Sequence, residues 1–268
     1  MPAGREDARG CHEGLGSYVG RMKPLVFCAL LFCSCCLGAE APKCALPGYA
    51  YVWGDEFDGA KLDETRWSYR TGERYLSTHR KENVAVKDGQ LLLTGRKDGE
   101  GKTPYTCGGV ISKRLFRYGY YEARFKVPTG AGWHTSFWAM RNWAKAADGP
   151  NLEIDICENE SSRPNSYGVN THQWIPGPHK GAGHKVVKTP SLAADFHVWG
   201  CEFTPDDIRF FFDGQVVQQL DAKQSQHGDM QVWLTMIAAP SLGGVKAVDD
   251  DRLPAVAAYD YVRVFVRK

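Results

Sequence analysis

"NLEIDICENE", residues 151–160, sets four acidic side chains, Glu153, Asp155, Glu158 and Glu160, among apolar Ile154, Ile156 and Cys157. The apolar residues mark a buried β-strand, where an unpaired carboxylate is costly. Strict alternation puts Glu153 and Asp155 on one face and Glu158 on the other. One extra residue near Ile156–Cys157, a β-bulge, returns Glu158 to the face of the first two acids. The stretch therefore predicts a bulged strand with three carboxylates in a row and Glu160 outside that row.

Same-face neighbours on a strand are about 6–7 Å apart at Cα, so side chains two steps apart can converge on one bond. Carboxyls held about 5–5.5 Å apart serve a retaining glycosidase, one as nucleophile and one as proton donor. An acid between them shares hydrogen bonds and pushes pKa values apart. A solvent-facing acidic strand and a calcium site are the competing readings, although calcium loops favour Asp, Asn and Gly over a β-run. Spacing alone does not choose among them.

The rest of the chain fits such a strand into an all-β domain. Short runs rich in Val, Ile, Tyr, Phe and Trp recur between Gly, Asp, Asn and Pro, as in "NVAVKDGQLLLTGRK" (83–97), "WHTSFWAMR" (133–141), "YGVNTHQWI" (167–175) and "MQVWLTMIA" (230–238). Asp88-Gly89 and Asp213-Gly214 are hairpin signals. With almost no helical periodicity, the expected fold is an antiparallel two-sheet β-jelly-roll sandwich whose concave face forms a substrate groove. At 43% hydrophobic and 24% charged, the 268 residues can bury one large core. A net charge of +2 gives no basis for nucleic-acid binding.

Lys23, the apolar run Leu25–Leu37 and small residues at Gly38, Ala39 and Ala41 have the plan of a secretory signal peptide over about 22–39. The run is too short to span a bilayer. The expected organisation is residues 1–39 as extension and signal peptide and 40–268 as a single catalytic domain, secreted or periplasmic, with a lipid anchor as the lesser alternative. Cys44, Cys107, Cys157 and Cys201 then remain, either as disulfides in one of three pairings or as buried thiols.

"EIDICE" (153–158) resembles the E-x-D-x-x-E active-site motif of family-16 glycoside hydrolases, which include laminarinases, lichenases, agarases, porphyranases and carrageenases. "WGDEFDG" (53–59), "YGYYEARFKVP" (118–128), "SFWAM" (136–140), "FHVWGCEFTPDDIRFFFDG" (196–214) and "YDYVRVF" (259–265) resemble that family's other segments, in the same order. The resemblance implies Glu153 as nucleophile, Glu158 as general acid/base and Asp155 as the assisting carboxylate. It places Trp138 beside the nucleophile as a stacking surface, and Glu122 and Arg124 as substrate contacts. Met140 shares a face with Trp138, Trp133 lies near a rim on the opposite parity, and Asn170, His172 and Trp174 alternate together on the following strand. Tyr75, His79 and Arg80 fall in a loop where the family places cleft residues. Asp260 matches a residue that helps bind a structural calcium, the one metal anticipated; no cofactor is required.

The implied activity is endo-acting, retaining hydrolysis of a polysaccharide by a monomer, first a β-1,3-glucan. Agar, porphyran or carrageenan is the close alternative, with transglycosylation on the same residues. The basic stretch 175–190, with His179, Lys180, His184, Lys185 and Lys188, is expected as a loop that would favour an anionic polymer if it overhangs the groove. A non-catalytic polysaccharide-binding jelly roll is the rival class.

Overall fold

In the computed structural model, residues 41–141, 150–175 and 178–268 are described; the expected signal peptide and its cysteines lie outside them. A seven-stranded sheet runs Lys180–Lys188, Ser166–Ile175, Asn151–Glu160, Trp133–Met140, Gln231–Ala238, Gly109–Ser112, Trp67–Tyr69. An eight-stranded sheet runs Gln215–Asp221, Asp207–Phe212, His197–Phe203, Gly119–Lys126, Ala255–Arg267, Gln90–Gly95, Val84–Lys87, with Tyr49–Asp55 also paired to Ala255–Arg267. Pairing within both is antiparallel. This is the jelly-roll sandwich that the strand pattern predicted.

One core cluster joins the two sheets. It takes Phe137, Ile154, Ile156 and Cys157 from the first and Phe125, Trp199, Tyr259 and Val264 from the second. Phe125 stacks on Trp199 at 3.8 Å and on Tyr259 at 4.6 Å, so large aromatics fill the space between the layers. The first sheet's other face is left for function. Both predicted hairpin turns form, with positive φ at Asp88 and Gly89 and at Asp213 and Gly214, as two-residue type I′ connections require. A small third sheet, Gly72–Arg74, Ser77–His79 and Tyr105–Cys107, brings the 70–75 segment to the open face.

Cys107, Cys157 and Cys201 are buried free thiols and Cys44 is a half-buried one, so none of the three disulfide pairings is present. The basic stretch is mostly not a loop: Lys180–Lys188 is the edge strand of the seven-stranded sheet. Residues 176–177 lie outside the described residues.

Candidate active site

The bulge is present at the predicted position. On one side Phe137 pairs with Cys157 and Trp138 with Asp155, leaving Ile156 without a partner. On the other, Asp155 pairs with Asn170 and Glu158 with Gly168, so Ile156 and Cys157 together face Val169 alone. Ile154, Ile156 and Cys157 are all buried in the core. Glu153, Asp155 and Glu158 all line one cleft of about 680 Å³ on the sheet's open face. Were all ten residues paired as a regular strand, Cys157 would face the cleft and Glu158 the core, where an unpaired carboxylate costs several kcal/mol.

The three carboxyls stand in different surroundings. Asp155 is buried, and its pKa lies well above the ordinary value because of burial and the charges of Glu158 and Glu153. That shift favours its protonated form, whose O–H can donate to Glu153. Burial also pushes Glu153 up, but hydrogen bonds from the Trp174 indole N–H and from Asp155 pull it back toward the ionised form. Glu158 is the most open of the three, with a side chain 34% exposed.

Behind Asp155 stands His172, its Nε2 3.3 Å from Asp155 Oδ2 but too poorly aligned for a hydrogen bond. Asn170 fixes this ring. Its Oδ1 accepts from the Thr171 N–H at 3.0 Å, which turns its amide N–H toward His172 Nε2, also at 3.0 Å. His172 Nε2 is thereby an acceptor and Nδ1–H donates to His179 Nε2 at 2.8 Å. Burial and the neighbouring His179 and His184 lower the His172 pKa, in keeping with a neutral ring. Trp174 stacks on His179 at 4.0 Å, which braces its bond to Glu153.

The cleft floor is aromatic. Trp138 stacks on Trp233 at 4.6 Å, and the Trp138 Nε1–H donates to Thr235 Oγ1 at 3.0 Å. Met140 and Ile111 pack with them. The Arg70 guanidinium lies over both indoles, at 5.6 and 5.5 Å from the ring centroids. No carboxylate among the described residues forms an ion pair with it. Burial and then the nearby Arg74 lower its pKa to about 10, so it stays charged at neutral pH. Arg74 and Tyr75 complete that wall.

Several expected contacts lie elsewhere. Trp133 is buried in the core at 1% exposure, edge-on to Tyr105 and against Gly95, where a Cβ would run into its ring. Its odd position on the strand turns it away from Trp138's face. Glu122 and Arg124 belong to the eight-stranded sheet and do not reach the cleft: Glu122 accepts from Tyr261 Oη at 3.0 Å, and Arg124 binds Asp260 at 2.7 Å. Asp260 is thus paired with a guanidinium, and among the described residues no group of three metal-ligating side chains forms. His79 sits behind the cleft, held neutral by burial, and Arg80 is exposed near Asp98.

Arg70, Trp233, His134 and Glu160 enter the site without having been anticipated. Trp233 and Thr235 alternate on their strand just as Ser136 and Trp138 do, a signal that was legible. His134 shares the parity of Trp138. Arg70 carries no local signature, because a three-residue strand delivers it from a distant part of the chain. Glu160 is on the cleft side but beyond the row, in an adjoining depression with Glu158, Arg163 and His184.

The family model described as beta-porphyranase A–D, GH16 domain, matches residues 52–266. A beta-glucanase from Rhodothermus marinus is 27% identical over 274 residues, 91% of this chain and 94% of that protein. A kappa-carrageenase from Pseudoalteromonas carrageenovora is 28% identical over 216 residues, 67% of this chain and 54% of that enzyme. The X-ray structure of the Rhodothermus marinus laminarinase superposes with a TM-score of 0.71 at 25% identity, covering 83% of this chain and 99% of that one.

Proposed function

The chain belongs to family 16 of the glycoside hydrolases, and from that membership we propose a double-displacement mechanism run by its own three carboxylates. Glu153 attacks the anomeric carbon while Glu158 gives its proton to the leaving glycosidic oxygen. Glu158, now a carboxylate, takes a proton from water, and the water releases the sugar from Glu153 with net retention. Asp155, kept protonated, orients Glu153 through their hydrogen bond. The observation that carries this reading is the bulge, which gathers all three acids on one cleft wall.

The substrate read first is a β-1,3-linked glucan, an internal bond of which would lie across the Trp138–Trp233 floor, where sugar C–H faces can stack. A second reading, a sulfated or otherwise anionic galactan, is favoured by Arg70, a cation at the same floor with no carboxylate partner among the described residues and with Arg74 nearby. Among the described residues no helix is long and apolar enough to cross a membrane. Export through the leader at about 22–39, and action as a monomer with residues 40–268 as one catalytic domain, complete the proposal.

The test is product release from laminarin, lichenan, agarose, porphyran and carrageenan, with the anomer followed by NMR. Retained configuration and shortened oligosaccharides are expected from one of these polymers. Hydrolysis of that polymer by Glu153→Gln at the native rate would overturn the assignment of the nucleophile.

A further inference from the structure

Glu158 must hold a proton in one half of the proposed reaction and lose it in the other, yet it accepts no hydrogen bond from the described residues. Its nearest charged partner is His134, whose Nε2 is 3.6 Å from Glu158 Oε1. The His134 ring is buried at 7% exposure, and its Nδ1 is 2.7 Å from Glu160 Oε1. Register explains the geometry: His134 pairs directly with Glu160, and Ser136 with Glu158, across one antiparallel ladder. The imidazole thus bridges two carboxylates two residues apart on the strand beside it.

We propose that the Glu160–His134 pair is a positioning device for Glu158, with Glu160 fixing the ring so that Nε2 steers the acid/base carboxyl through both of its proton transfers. Because Glu160 can only accept when ionised, His134 carries its proton at Nδ1. Burial alone would strip the second proton from Nε2. The Glu160 hydrogen bond and the charges of Glu158 and Glu160 outweigh that and raise the His134 pKa, against an opposing Arg70. A protonated ring offers Nε2–H to Glu158, and a rotation of the partly exposed Glu158 side chain closes the gap. The titratable and charged groups around Glu158 are then His134, Glu153, Asp155 and Glu160, with Arg70 and Arg74 lining the same cleft and Arg163 and His184 in the adjoining depression.

The pair acts in a definite direction. A cation beside Glu158 favours its carboxylate, which helps the base step and limits the acid step at high pH. Removing it should therefore raise the pKa of the acid. The proposal rests on Glu158 being the acid/base, so that reading is tested separately by azide rescue of Glu158→Ala on an aryl glycoside with a good leaving group. Absence of a glycosyl azide of retained configuration would sink the Glu158 reading itself.

The pair is tested by pH profiles of kcat/KM for His134→Gln and Glu160→Gln, with melting temperatures in parallel. Both should move the alkaline limb upward by about one unit and lower the rate at the optimum by about tenfold. Glu160→Gln, near-isosteric, serves if His134→Gln does not fold. An unmoved limb, with activity falling only in step with stability, would reduce the pair to a strand staple and overturn the proposal.

Discussion

The Trp174 indole N–H donates to Glu153 Oε2, the same carboxylate that Asp155 bonds. Both bonds stabilise the ionised nucleophile, and Glu153 must be ionised to attack. Trp174→Phe keeps a ring to stack on His179 and deletes only the donor. A hydrogen bond to a charged group is worth about 1.5–3 kcal/mol, or about one to two pH units. The acid limb of kcat/KM should therefore move upward by that amount, while activity well above it is retained. A pH–rate profile with an unchanged acid limb would show that the indole does not tune the nucleophile.

Asp155 makes an opposite kind of prediction, about stability. Its folded pKa is raised far above the ordinary 3.8, so above that pH the folded state binds more of its proton than the unfolded state does. The contribution is fully present below 3.8 and is lost as pH rises toward the folded pKa. Asp155→Asn keeps a neutral polar group there and removes the titration. Melting temperatures from about pH 4 to about pH 9 should show the native protein losing ground steadily to the variant. Parallel curves would mean that Asp155 is ionised in the folded protein.

The carboxylate row was legible because two adjacent apolar residues, Ile156 and Cys157, cannot both face the core of a regular strand. Alternation plus burial cost forces the bulge. The same rule explains what failed: Trp133 and Trp138 have opposite parity, and only one can face the cleft. Glu122 and Arg124 alternate correctly but on the other sheet, and periodicity along one strand does not say to which sheet it belongs. Arg70 and the His134–Glu160 contact depend on which strands become neighbours, information carried by the whole fold rather than by any short run.

Arg70 offers a route to the substrate. Held over two indoles with no carboxylate partner among the described residues, it is placed to receive an anionic substituent. Arg70→Gln should lower kcat/KM on a sulfated galactan by about 10–100-fold, chiefly through KM, as loss of one charged hydrogen bond of 1.5–3 kcal/mol implies. On laminarin the change should stay within a few-fold. Equal losses on both polymers would remove the case for an anionic substrate and leave Arg70 as a brace for the tryptophans.

The bulge itself can be removed. Deleting Ile156 leaves Glu153, Asp155 and Glu158 at alternate positions of a regular strand, which again share one face. The core loses one large side chain, a change that costs about 2–5 kcal/mol when isoleucine is truncated in place. The deletion variant should therefore fold with a clearly lower melting temperature and keep measurable hydrolysis. An alanine inserted after Cys157 does the reverse: it adds an odd residue and sends Glu158 toward Phe137 and the core, so hydrolysis should vanish even in protein that remains soluble. If the deletion yields a folded but inactive protein, the bulge does more than set parity, and the extra residue must fix the spacing of the carboxyls as well as their face.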